Sequence, residues 1–208
     1  MGVRMSTPNQ SNMSFMQRWQ KIARRIRVPL GFVAAGFYLW QLYAHRPHLW
    51  HIFASLALVV PGLWLRGYAA GYVKKNRELT QTGPYAHTRN PLYLGSILIA
   101  AGFAFALMSW PFALILAIAF SLIYIPVIAS EEAFLSETFP EFYGYCRRVP
   151  RLLPRITPGL PAYANNSEPG SFSFDLYRKH REYNSAIGAV LLYLSLFAAM
   201  LLHSMLGR

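Results

Sequence analysis

Charge is scarce in this chain, and cysteine scarcer. Of 208 residues only 13% are Asp, Glu, Lys or Arg, about half the usual share of a soluble domain. Hydrophobic residues make up 54% and aromatic residues 15%, which is the composition of a membrane protein. The single cysteine, Cys146, excludes an internal disulfide framework. Its neighbours Arg147 and Arg148 would lower a thiol pKa, although an inert thiol near a membrane surface is the simpler reading. No Gly-x-Gly-x-x-Gly follows a strand pattern, and neither a Walker loop nor a metal-ligand cluster stands out. A nucleotide would therefore have to be held by an unconventional site.

Acidic residues are also few, eight against 20 Lys and Arg, for a net charge of +12. Eighteen of the 20 basic residues fall in segments 1–28, 66–90 and 131–183, with only Arg46 and Arg208 elsewhere. If the apolar runs between them cross a bilayer, those three segments share one face. The positive-inside rule makes that face cytoplasmic. The basic excess then reads as topology and contact with anionic membrane lipids, with no nucleic-acid partner, since no nucleic-acid-binding motif accompanies it.

What is abundant is long apolar sequence, and it organises the chain as a single integral membrane domain. Residues 1–27 form a basic N-terminal segment and 28–73 the first two spans, about Val28–Ala44 and Leu49–Val73. Pro61 marks a kink in the second, and Arg66 near its inner end is either functional or snorkels to water. Between them, His45, His48 and His51 stand at spacing three, but Pro47 breaks any helix that would align them as metal ligands. Interfacial histidines are expected there, and no metal. Residues 74–155 form a core containing two uncharged runs, Pro91–Ser109 and Pro111–Ala129, each long enough to cross a hydrocarbon core. A helix capped by Thr138 with Pro140 at its first position is expected to follow. Residues 156–183 read as a loop and 184–205 as the last span, giving five spans, N-terminus inside. The fold class is all-α and polytopic.

Trp110-Pro111 joins the two uncharged runs, so they predict a tight antiparallel hairpin whose open ends return to the cytoplasmic face. One end carries Gly83-Pro84-Tyr85 and Arg89-Asn90-Pro91-Leu92-Tyr93, with Asn90 as N-cap and Pro91 at the first helical position. The other carries Glu131-Glu132. Taken singly, each of these residues has a bland reading as turn, cap, aromatic belt or interfacial charge. Converging at the two ends of one hairpin, they favour a cytoplasm-facing polar pocket beside a lipid-like substrate.

Those two blocks carry a resemblance. Gly83-Pro84-Tyr85, Arg89-Asn90-Pro91-x-Tyr93, Glu131-Glu132-x-x-Leu135, Phe139-Pro140-x-Phe142-Tyr143, Val149-Pro150 and Pro154 together are similar to the isoprenylcysteine carboxyl methyltransferase family, related to bacterial phospholipid methyltransferases, over roughly residues 70–155. The resemblance implies methyl transfer from S-adenosylmethionine to a lipophilic small-molecule or lipid-anchored acceptor. It assigns cofactor contacts to Arg77, Glu78, Leu79, Thr80, Tyr85, Asn90, Pro91, Leu92, Tyr93 and Glu131, and catalytic roles to Arg89, Glu131 and Glu132. A carboxylate acceptor would need no general base, whereas an ethanolamine-type amine would need one, for which Glu132 is nearest.

Two positions depart from the family pattern. Val127 stands where members acting on prenylcysteine carry an arginine one turn before the glutamate pair, and Arg77 where histidine is frequent. Membrane sterol reductases, which use NADPH, have a similar C-terminal architecture, but typically an Arg-Asp pair where this chain has Glu131-Glu132. A catalytically silent scaffold of the same fold is the third class to be tested.

Overall fold

The computed structural model describes residues 29–74, 78–159 and 170–207. Among them all regular structure is helical. Residues 29–44 (α1) are helical, followed by α2 (Leu49–Tyr72), a 3₁₀ turn (Gly83–Ala86), α3 (Pro91–Ala106), α4 (Trp110–Thr138), α5 (Phe142–Arg148), α6 (Phe174–Lys179) and α7 (Tyr183–Met205). By length and composition α2, α4 and α7 can cross a membrane. With 16 residues, α3 is about 24 Å long, shorter than the five-span expectation required of it. Pro61 and Pro126 lie inside α2 and α4. Membrane helices tolerate internal proline because neighbours and local adjustments satisfy the freed backbone groups.

The most extensive contact among the described elements joins α2 to α3, antiparallel and built on glycine. A Cβ at Gly62 would stand 2.8 Å from the Gly95 carbonyl, and one at Gly95 would stand 2.6 Å from Arg66 Cγ. Absence of side chains at this crossing lets the two backbones touch. Buried polar groups then tie the remaining helices together. The Tyr38 hydroxyl on α1 meets Ser195 Oγ on α7 at 2.7 Å, and Ser55 on α2 meets the Tyr193 hydroxyl on α7 at 2.7 Å. Gln41 donates to Ser109 Oγ, which also caps α4 by accepting from the Phe112 amide at 3.3 Å. In apolar surroundings such bonds fix which helix faces which. Outside this core the helices expose apolar surface, and Trp50 and Trp110, at one end of the bundle, are 75% and 76% exposed, as in an interfacial aromatic belt.

Three local expectations change. Helix α4 does not stop near Ala129 but runs unbroken for 29 residues, about 43 Å, carrying Glu131 and Glu132 beyond a hydrocarbon core of about 30 Å. Thr138 does not cap the next helix. Its hydroxyl donates back to the Phe134 carbonyl at 2.8 Å, and α5 begins at Phe142. The loop expected through residue 183 contains α6, capped by Ser173 Oγ accepting from the Leu176 amide at 3.4 Å.

Candidate functional site

Gly83 opens the site. Its φ is +58°, and a Cβ there would also strike the Tyr72 ring at 2.6 Å, so glycine meets both a backbone and a packing requirement. The turn buries Tyr85, and the chain from Thr88 to Asn90 locks onto the segment after α5. Arg89 N–H donates to the Pro150 carbonyl at 2.9 Å, Thr88 Oγ1 to the Leu152 carbonyl at 3.0 Å, and Asn90 Nδ2 to the Arg151 carbonyl at 2.9 Å. The Tyr145 hydroxyl on α5 donates to the Tyr85 carbonyl at 2.8 Å. Asn90 thus anchors the start of α3 through its side chain but makes no side-chain cap.

The open ends of α3 and α4 meet. The Tyr93 hydroxyl donates to Glu131 Oε2 at 3.2 Å, and the Tyr93 and Tyr124 rings stand 4.8 Å apart. Arg89 Nη1 lies 3.1 Å from Glu132 Oε1 at ion-pair rather than hydrogen-bond geometry, while Arg151 Nε donates to Glu132 Oε2 at 3.0 Å. Glu132 is therefore held between two arginines, whereas Glu131 is exposed beside Tyr93.

Between these elements lies a cavity of about 380 Å³, in the lower part of the range of small-molecule sites. Glu78, Leu79, Thr80, Tyr85, Arg89, Asn90, Pro91, Leu92, Tyr93, Glu131 and Glu132 all line it. Arg77 lies outside the described residues. Val127 lines the cavity as well, so the position where the family resemblance implies a cation is an apolar wall. The cavity also takes Arg66 from α2 and Glu182 from the start of α7, neither of which the motif blocks indicated. Arg66 donates to Glu182 through Nε and Nη2, each at 3.0 Å. The arginine does not snorkel. The cue in sequence was its cost inside a span, which calls for an anionic partner.

Burial, reinforced by the Glu131 carboxylate, raises the Tyr85 phenol well above the ordinary tyrosine range. Burial does the same for Tyr145, partly offset by Arg89. Both present neutral rings and neither is a base at physiological pH. The Cys146 thiol is raised by burial against the lowering effect of Arg89, which donates to its sulfur at 2.7 Å. Its relevant cation is thus Arg89 rather than the adjacent Arg147 and Arg148. Of His45, His48 and His51, the rings of the last two meet edge-on at 5.6 Å. No group of three His, Cys, Asp or Glu suited to a metal occurs among the described residues.

A family model described as phospholipid methyltransferase matches residues 49–141. The chain is 43% identical over 95 residues to nickel-cobalt-cadmium resistance protein NccN of Alcaligenes xylosoxydans xylosoxydans, covering 46% of this chain and 44% of that one. It is 41% identical over 103 residues to cobalt-zinc-cadmium resistance protein CzcN of Cupriavidus metallidurans, covering 50% of this chain and 46% of that one. The chain spans about half the length of the curated relatives it matches. No solved structure matches it.

Proposed function

We propose that this chain is a polytopic membrane methyltransferase that uses S-adenosylmethionine to methylate a lipophilic acceptor at the cytoplasmic surface. The observation that carries this reading is one cavity lined from two sequence blocks about 40 residues apart, closed by Tyr93 on Glu131 and Arg89 on Glu132. The phospholipid methyltransferase match, which contains the first block and the Glu131-Glu132 to Pro140 part of the second, supports it.

The donor set suits this cofactor. Glu131 and Glu78 offer carboxylates to its cationic groups, and Tyr85 and Tyr93 offer ring faces to a sulfonium or a base. Arg89 Nε is buried without a hydrogen-bond partner, an orphan donor that the cofactor carboxylate would satisfy. Bound there, S-adenosylmethionine would supply an electrophilic methyl group, its sulfur keeping the electron pair of the C–S bond. Glu132 holds Arg89 and Arg151 in place, and Tyr85 and Tyr145 seal the inner wall. A carboxylate acceptor loses no proton, so the protein's task is alignment and exclusion of water.

The family match favours one second reading, N-methylation of a phospholipid amine. Glu132 is then the wrong base, because two arginines occupy it, and Glu131 would take the proton.

The test is transfer of labelled methyl from S-adenosylmethionine to lipids by the detergent-purified protein, with fatty and prenylated carboxylates and ethanolamine phospholipids as acceptors. Label is expected in a carboxylate as a base-labile ester. Label only in the amine lipid would replace the first reading by the second, and no label in any would remove both.

A further inference from the structure

A second cavity of about 470 Å³ lies between α1, α3, α4 and α7. Its walls include Ile99, Phe103, Phe112, Leu116 and Leu192, and its polar boundary includes Ser96, Ser185 and Arg66. Arg66 also lines the polar cavity, so one guanidinium is common to both. That side chain crosses α3 over Gly95, where a Cβ would meet its Cγ at 2.6 Å. It hydrogen-bonds Ser96 Oγ and donates to the Leu92 carbonyl at 3.3 Å. Its remaining fork holds the Glu182 carboxylate, and the two side chains are only 22% and 12% exposed.

Resting on the methyl-transfer reading, we propose that Arg66 is the residue that selects and orients the acceptor, a long-chain carboxylate whose head group sits on the guanidinium and whose apolar chain fills the second cavity. Glu182 marks the geometry, since two parallel N–H···O bonds to a carboxylate are what this fork already makes there. The incoming carboxylate exchanges with Glu182. The released side chain keeps two favourable neighbours, the N-terminal end of α7 and Ser185, whose hydroxyl donates to it at 3.3 Å. Arg66 thereby supplies from α2 the cation that Val127 does not supply from α4. A planar, always-charged fork suits a carboxylate, repels an ammonium and gives an alcohol one hydrogen bond in place of a charge-assisted pair.

The chain-length part is separately addressable. A Cβ at Gly188, in the wall of the second cavity, meets no atom within 4 Å, so Gly188→Leu starts its side chain in open space at that wall.

The test measures binding of palmitate, hexadecanol and hexanoate to the detergent-purified full chain, with S-adenosylhomocysteine titrated in parallel. Wild type is expected to hold palmitate at least about tenfold more tightly than hexadecanol, the worth of a charge-assisted hydrogen bond or more. Arg66→Gln removes that preference, and Gly188→Leu, outside the polar cavity, leaves S-adenosylhomocysteine affinity within about twofold. Gly188→Leu weakens palmitate and spares hexanoate. Should Arg66→Gln unfold the protein, the Arg66→Gln/Glu182→Gln pair retains a neutral hydrogen-bonded contact and is read the same way. Equal binding of acid and alcohol by wild type, or a preference that survives loss of Arg66, overturns the proposal. Loss of S-adenosylhomocysteine binding in Gly188→Leu also overturns it, since the second cavity would then not be separate from the donor site. Carboxylate preference without any S-adenosylhomocysteine binding would keep the lipid site and remove the methyl-transfer reading instead.

Discussion

Glu131 and Glu132 are adjacent on α4 but face different partners. Glu131 is exposed and touches Tyr93, so Glu131→Gln is expected to weaken S-adenosylhomocysteine binding about tenfold or more while leaving the melting temperature nearly unchanged. Glu132 is only 15% exposed between Arg89 and Arg151. Glu132→Ala strands Arg89, and a loss of about 2 kcal/mol is expected in thermal or denaturant unfolding. Equal effects of the two substitutions on both measurements would show that the pair acts as one unit. Cys146 gives a pH test. Its folded pKa is raised by burial, so the protonated thiol is favoured by folding. That contribution is complete below the ordinary thiol range and is lost as pH rises through the higher folded value. Alkylation of Cys146 is expected to accelerate only above the pH at which a free thiol reacts, and a profile displaced to lower pH would contradict the burial account.

At the scale of elements, the seam between α2 and α3 positions everything else, because it sets Arg66 against Leu92 and Ser96. Gly95→Ala places a methyl against the Gly62 carbonyl and Arg66 Cγ. An overpacking loss of about 1–3 kcal/mol is expected in detergent unfolding, together with weakened palmitate binding; a variant as stable as wild type would show that the seam has slack. The hairpin of α3 and α4 was legible in sequence because Asn90-Pro91 and Trp110-Pro111 punctuate two uncharged runs, and their lengths bring Tyr93 to Glu131. The continuation of α4 to Thr138 was not, since Glu131 and Glu132 look like the end of a span while nothing in Ala129–Glu132 breaks a helix. Least legible was the contribution of α6 and α7. Glu182 reaches Arg66 because residues 170–182 fold back along α2, with Ser173 N–H donating to the Gly71 carbonyl at 2.9 Å and His180 Nδ1 at 3.0 Å from the Ala70 carbonyl. Those contacts depend on Phe172 packing over Gly71, a tertiary event with no local pattern.

For the whole molecule, the charge distribution predicts that residues 1–28, 66–90 and 131–183 share the cytoplasmic face. Single cysteines introduced near Thr157 and in the 107–109 connection of a Cys146→Ser chain are expected to react with a membrane-impermeant thiol reagent from opposite sides, the former only after the inner face is opened. Labelling of both from the same side would refute the hairpin as a crossing. Placed this way, the polar cavity would meet the cytoplasm and the apolar one the lipid, which is the division of labour that the proposed transfer from a water-soluble donor to a lipid acceptor requires. Calorimetric titration of the detergent-purified chain with S-adenosylhomocysteine and, in parallel, NADPH asks whether the polar cavity takes S-adenosylmethionine. Binding of S-adenosylhomocysteine alone, weakened in Glu131→Gln, is expected; binding of NADPH alone would make the protein a reductase, and binding of neither would leave a membrane scaffold.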